Sequence, residues 1–193
     1  GWHNASVNVL FAGTDTVSGL AYCSPGVTVS MEGNWPLSGY CADNAGRSST
    51  ATVTVNVDIT SPSISSAQTP PANEYSWNTG DVTLKFTCAD NLSGVRFCPA
   101  DIVLGGEGVN ISTATGAMDY ADNSSTTAIT GIKIDRTLPV STAALSGIYK
   151  NGWYSSFVDI ALTSGDSMSG VKETLYSINN GESAVYTQPV AVS

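Results

Sequence analysis

The sequence predicts an all-β chain built from tandem sandwich repeats, two near-complete and one truncated. Three observations predict it. The same residue types return at one pair of offsets along the chain. Each return opens a run in which apolar and polar residues alternate. No stretch holds apolar residues at i, i+3, i+4 and i+7 over three turns, the signature an amphipathic helix would leave.

The offsets come first. Trp2, Trp77 and Trp153 are 75 and then 76 residues apart. Val7, Val82 and Val158 keep that spacing, as do Asp15, Asp90 and Asp166, and Gly19, Gly94 and Gly170. A strand follows each tryptophan. Val7, Val9 and Phe11 share one face, then Val82, Leu84 and Phe86, then Val158, Ile160 and Leu162. Period-two alternation means one buried face and one wet face.

Asp-x-x-Ser-Gly comes next, at 15–19, 90–94 and 166–170. It reads as a turn, because Asp caps backbone N–H groups two residues on and Gly takes positive φ. A short strand then starts at Leu20, Val95 and Val171. Cys41-Ala-Asp43-Asn44 matches Tyr120-Ala-Asp122-Asn123 at an offset of 79, which places a small insertion near Gly105–Gly108. The last strand carries Val53, Val55 and Val57. Its counterpart carries Ile129, Ile132 and Ile134, with Gly131 marking a bulge. Asp58-Ile-Thr-Ser-Pro62 and Asp135-Arg-Thr-Leu-Pro139 join the copies, and the fixed φ of proline stiffens each short link. The expected repeats are 1–60, 61–137 and 138–193.

This pattern resembles the bacterial immunoglobulin-like repeats of large surface and secreted proteins. It carries Trp, Val-x-Val-x-Phe, Asp-x-x-Ser-Gly-Val, Ala-Asp-Asn-Ala-Gly, a Val-rich strand and Asp-x-Thr-x-Pro. The third copy, with Tyr176-Ser-Ile-Asn179, is similar to related repeats that carry a Tyr-Ser-Ile-Asn hairpin. The resemblance implies an immunoglobulin-like β-sandwich in each copy, and a role as spacer, adhesive stalk or enzyme accessory.

Composition narrows the role. Net charge is −9, with seven Lys and Arg in 193 residues, so no phosphate-tracking groove is expected and nucleic acid is excluded as a partner. No apolar run reaches the roughly 20 residues that a membrane-spanning helix needs. The chain opens in mid-pattern at Gly1-Trp2, which reads as a mature or trimmed fragment. The third copy runs only 40 residues past Trp153, so its sandwich is expected to be incomplete, with an open strand edge that a neighbouring molecule could fill.

Four cysteines fall two to each of the first two copies, in differently placed pairs. Cys98 aligns with Cys23, Cys88 with Gly13 and Tyr120 with Cys41. The expectation is two independent disulfides, Cys23–Cys41 and Cys88–Cys98, and with them an oxidising compartment outside the cell. The alternative is a metal site, but zinc wants four characteristically spaced ligands and the only histidine is His3.

No catalytic residue and no resident cofactor are expected. A Ser-His-Asp triad would need His3 placed by an acid, and the carboxylates recur at turns rather than in one cleft. Calcium is the one ion the acids allow. Asp15 with Asp43, and Asp90 with Asp122, sit in turns that a sandwich could bring to one end, and Asp58 and Asp135 lie at the junctions. The bland alternative is turn capping. Trp35 does not repeat, and is the aromatic residue to test as an exposed sugar-stacking side chain. Asn4, Asn91, Asn110 and Asn123 stand in Asn-x-Ser sequons that permit glycosylation.

The function these readings favour is a non-catalytic extracellular or cell-surface array acting as stalk or spacer. One alternative is a filament subunit assembled by strand complementation. Another is an accessory, carbohydrate-binding or linker module of a polysaccharide-active enzyme. Expected partners are adjacent repeats, identical neighbouring subunits or surface glycans.

Overall fold

The computed structural model describes residues 1–192, and those residues form strands and turns without a helix. The first copy holds β1 (Trp2–His3), β2 (Val7–Val9), β3 (Leu20–Cys23), β4 (Val27–Val29), β5 (Gly33–Asp43) and β6 (Ser48–Val57). The second holds β7 (Ser63–Thr69), β8 (Val82–Ala89), β9 (Val95–Phe97), β10 (Ile102–Leu104), β11 (Gly108–Asp119) and β12 (Ser124–Ile134). The third holds β13 (Val140–Ser146), β14 (Tyr149–Lys150), β15 (Trp153–Tyr154), β16 (Val158–Gly165), β17 (Leu175–Tyr176), β18 (Ala184–Val185) and β19 (Val190–Val192). The described residues are all-β, in several small sheets.

Chain contacts divide these residues into two compact units. One is Gly1–Thr69 with Thr83–Val103 and Ser112–Ile129; the other is Pro70–Val82 with Leu104–Ile111 and Thr130–Ser193. Within the first unit, β1, β6, β5 and β3 form a sheet in that order, and β2 pairs with β4. The two sheets close over Val29, Val55 and Val57, with Val7, Val9, Trp35 and Leu37 packed around them. Val7, Val9, Val55 and Val57 are the inward members of the alternating runs, which is why the sequence pattern places them there. Trp2 and His3 pair in parallel with Asn56 and Val57, and the first strand thereby borrows the edge of the last.

In the second unit β16 lies between β13 and β19, all antiparallel. β14 pairs with β15, and β17 with β18. Asn78 makes with Ile134 the same parallel bridge that His3 makes with Val57. Burial differs sharply between copies. Val82 and Leu84 on β8 are sealed, whereas every residue of β13 is exposed, and Leu145, Trp153 and Phe157 stand in solvent.

Cys23 bonds Cys41, and Cys88 bonds Cys98. The first bridge joins directly opposed residues of β3 and β5. A side chain at Gly13 would sit 3.1 Å from Cys41 Sγ, so this position is kept bare beside the bridge.

The match between the two Ala-Asp-Asn stretches needs correction. Leu20 opposes Asp43, and Val95 opposes Asp119. Asp43 N–H donates to Arg47 O, and Asp119 N–H donates to Asn123 O. Asp119, not Asp122, therefore stands where Asp43 stands, and the offset there is 76 rather than 79. The counterpart of Cys41 is Ala117, not Tyr120. Gly46 and Asp122 are the corresponding loop positions, at φ 81° and 71°. Both hairpins need one left-handed residue in a three-residue loop; glycine supplies it freely and aspartate tolerably.

Candidate functional site

Each Asp-x-x-Ser-Gly turn is organised by its aspartate. Asp15 Oδ1 accepts the N–H groups of Val17, Ser18 and Gly19 at 3.0, 2.6 and 2.7 Å. Those bonds, that of Gly19 foremost, hold the Asp15 carboxyl below its usual pKa. Asp90 Oδ1 takes Leu92 and Gly94 at 3.1 and 2.7 Å, and Asp166 Oδ1 takes Met168 and Gly170 at 3.0 and 2.9 Å. In the second and third copies the middle N–H is taken by another residue, the linker aspartate. Ser93 N–H donates to Asp58 Oδ2 at 2.9 Å, and Ser169 N–H donates to Asp135 Oδ2 at 2.9 Å.

The two junctions share the rest of this frame. Asp58 Oδ1 folds back on Thr60 N–H at 3.1 Å, and Asp135 Oδ1 on Thr137 N–H at 2.9 Å. Glu32 Oε1 accepts Ile59 N–H at 2.9 Å and the Thr60 hydroxyl at 2.6 Å. Glu107 Oε1 accepts Arg136 N–H at 2.7 Å and the Thr137 hydroxyl at 3.2 Å. Both linkers are thus gripped by a glutamate of the preceding copy and grip the turn of the following one. The hydroxyl of Ser169 holds the Asp135 carboxyl below its usual pKa, joined by the N–H groups of Ser169 and Thr137.

At the first junction a third acid joins. Carboxylate oxygens of Asp58, Asp90 and Asp119 all lie within 4.8 Å of one another. Asp58 and Asp119 are wholly buried. Asp119 Oδ1 accepts Ala121 and Asn123 N–H, both at 2.8 Å, and Asn123 Nδ2 bridges Asp119 Oδ2 and Asp58 O, also at 2.8 Å. Among the described residues no ion pair reaches these three carboxylates. Arg96 pairs with Asp122, Arg136 with Asp81 and Lys172 with Glu74. Ser93 Oγ at the first junction and Asp166 Oδ2 at the second are buried without a hydrogen-bond partner. Three hard oxygens in one place, two of them on sealed side chains, form a donor set suited to a hard dication.

The structure brings together some of the expected residues and separates others. Asp58 meets Asp90, and Asp135 meets the turn of Asp166. Asp122 is exposed and turned to Arg96, so it leaves the acidic group and Asp119 takes its place. Trp35 is not an exposed platform. It packs against the first core, and its Nε1–H donates to Met31 O at 2.8 Å. His3 serves through its backbone, its carbonyl accepting Asp58 N–H at 2.9 Å. Glu32 and Glu107 were missed, although Glu-Gly recurs at the shared offset of 75 and that signal could have found them.

No family model matches the chain, and no curated protein matches it. Among solved structures, fibronectin(III)-like modules of Clostridium thermocellum CbhA are similar over 69% of this chain and 88% of that one, at 12% identity and a TM-score of 0.33.

Proposed function

We propose that the chain is a non-catalytic structural array of an extracellular or cell-surface protein, a stalk or spacer whose successive repeats are locked at their junctions. The observation that carries this reading is the repeated contact of a linker aspartate with the Ser N–H of the next turn, at 2.9 Å in both junctions. A spacer needs a fixed angle between beads, and short linkers tied at both ends supply one. The two disulfides favour an oxidising compartment, where such bonds persist.

The reading extends to calcium at the first junction. Burying Asp58 and Asp119 beside Asp90 without a cation sets like charges together in a poorly solvated place, a cost that a dication would remove. The three aspartates would supply carboxylate oxygens, and Ser93 Oγ is a further candidate ligand. The test is thermal unfolding of the whole chain in chelator and in millimolar calcium, with light scattering of the same samples. The expected result is a monodisperse monomer whose unfolding temperature rises by about 2–4 °C with calcium, and a shift abolished by Asp119→Asn. An unmoved unfolding temperature would overturn the calcium reading alone. Ordered fibres of fixed axial repeat would replace the spacer by a filament built through strand exchange.

A further inference from the structure

A cleft of about 580 Å³ in the second unit lies between the loop Asn73–Trp77 and the segment Ser169–Lys172. Its volume is that of a small-molecule site. The loop is rigidly made. Asn73 Oδ1 accepts the N–H groups of Tyr75 and Trp77 at 3.0 and 2.9 Å. Asn73 N–H donates to Trp77 O, and Ser76 N–H donates to Asn73 O, both at 2.9 Å. Ser76 is held at φ 65°, a conformation that an L residue adopts at some cost.

That loop displays an aromatic wall. The Tyr75 ring is exposed and Trp77 is half-buried, both lining the cleft. Lys172 Nζ lies over the Tyr75 ring, 5.5 Å from its centre and 3.5 Å from Glu74 Oε1, and Lys133 Nζ lies over the Trp77 ring at 5.6 Å, while Tyr75 stays 55% exposed. A strong donor and a strong acceptor thus stand side by side next to an aromatic face. Two neighbouring hydroxyls of a pyranose match that arrangement. One accepts from the ammonium, the next donates to the carboxylate, and the C–H face of the ring lies on the aromatic wall. The chain's net charge of −9 disfavours an acidic sugar.

We propose that this cleft binds a neutral polysaccharide of equatorially substituted pyranoses, with Tyr75 as stacking platform and the Lys172–Glu74 pair as hydroxyl clamp. This goes beyond a spacer role, since it gives the array an adhesive contact.

The test is calorimetric titration of the whole chain with cellohexaose, with an oligogalacturonate as the acidic counterpart and tryptophan fluorescence as a second readout. Cellohexaose is expected to bind with a Kd between micromolar and millimolar, and the acidic oligomer not to bind. Tyr75→Ala and Lys172→Met are each expected to weaken binding about tenfold while leaving the unfolding temperature unchanged. Absence of heat and of fluorescence change at millimolar cellohexaose would overturn the proposal. So would an affinity that neither substitution changes from the native value, or tighter binding of the acidic oligomer.

Discussion

Where the second copy bonds Cys88 to Cys98, the third sets Thr174 Oγ1 3.0 Å from Ser164 Oγ, at matching places on β16 and after the turn. The first copy uses the same locus differently again. Its Cys23 corresponds to Cys98, but it bonds across to Cys41, where the second copy has Ala117. The position left over is small each time: Gly13 in one copy, Ala117 in the other. The bridges of the first two copies thus draw on the same aligned positions, a different pair in each. What distinguishes the second copy from the third is the strength of the fastening and the depth of the core beneath it. Val82 and Leu84 are sealed, whereas Val158 and Ile160 are half-buried.

The largest change should come from the covalent side of that comparison. Cys88→Ser with Cys98→Ser closes no loop in the unfolded chain and is expected to cost about 2–4 kcal/mol, read as a lower urea midpoint. If the loss is under about 1 kcal/mol, the bridge adds little to what a hydroxyl pair supplies. Next is the linker acid of the third copy. A carboxyl whose folded pKa lies below its unfolded value, near 3.8, contributes fully above that value. Its contribution is lost as pH falls through the lower folded pKa. Urea midpoints should therefore drop below about pH 4, and Asp135→Asn should flatten that drop. The smallest change belongs to the hydroxyl pair. Ser164→Ala with Thr174→Val is expected to cost about 1 kcal/mol, by the same urea midpoint.

Much of the frame was legible because it rests on local rules. Alternating valines announce the buried face, and Asp-x-x-Ser-Gly announces a capped turn; both hold in all three copies. Cys88 and Cys98 could be paired because they are the two cysteines of their copy. The junction was half legible. Asp58 and Asp135 stood out beside their prolines, but which N–H each would reach depends on the next copy's turn, some 35 residues on. Asp119 was hidden by Asp122, since Ala-Asp-Asn repeats as letters while the hairpin loop repeats as geometry three residues earlier. Trp35 was not placed in the core because it stands outside the repeat, yet a residue without a repeat partner can still pack there from within β5.

The most direct test of junction locking is the set of amide residual dipolar couplings of the first unit. It compares residues of the first copy with those of the Asp90–Gly94 turn, in the native chain and in Asp58→Ala/Asn123→Ala. The substitutions remove the Ser93 N–H contact and the Asn123 Nδ2–Asp58 O contact. One shared alignment tensor in the native chain and two in the variant is the expected result. Two tensors already present in the native chain, or one that survives the substitutions, would contradict junctions locked by the linker aspartate.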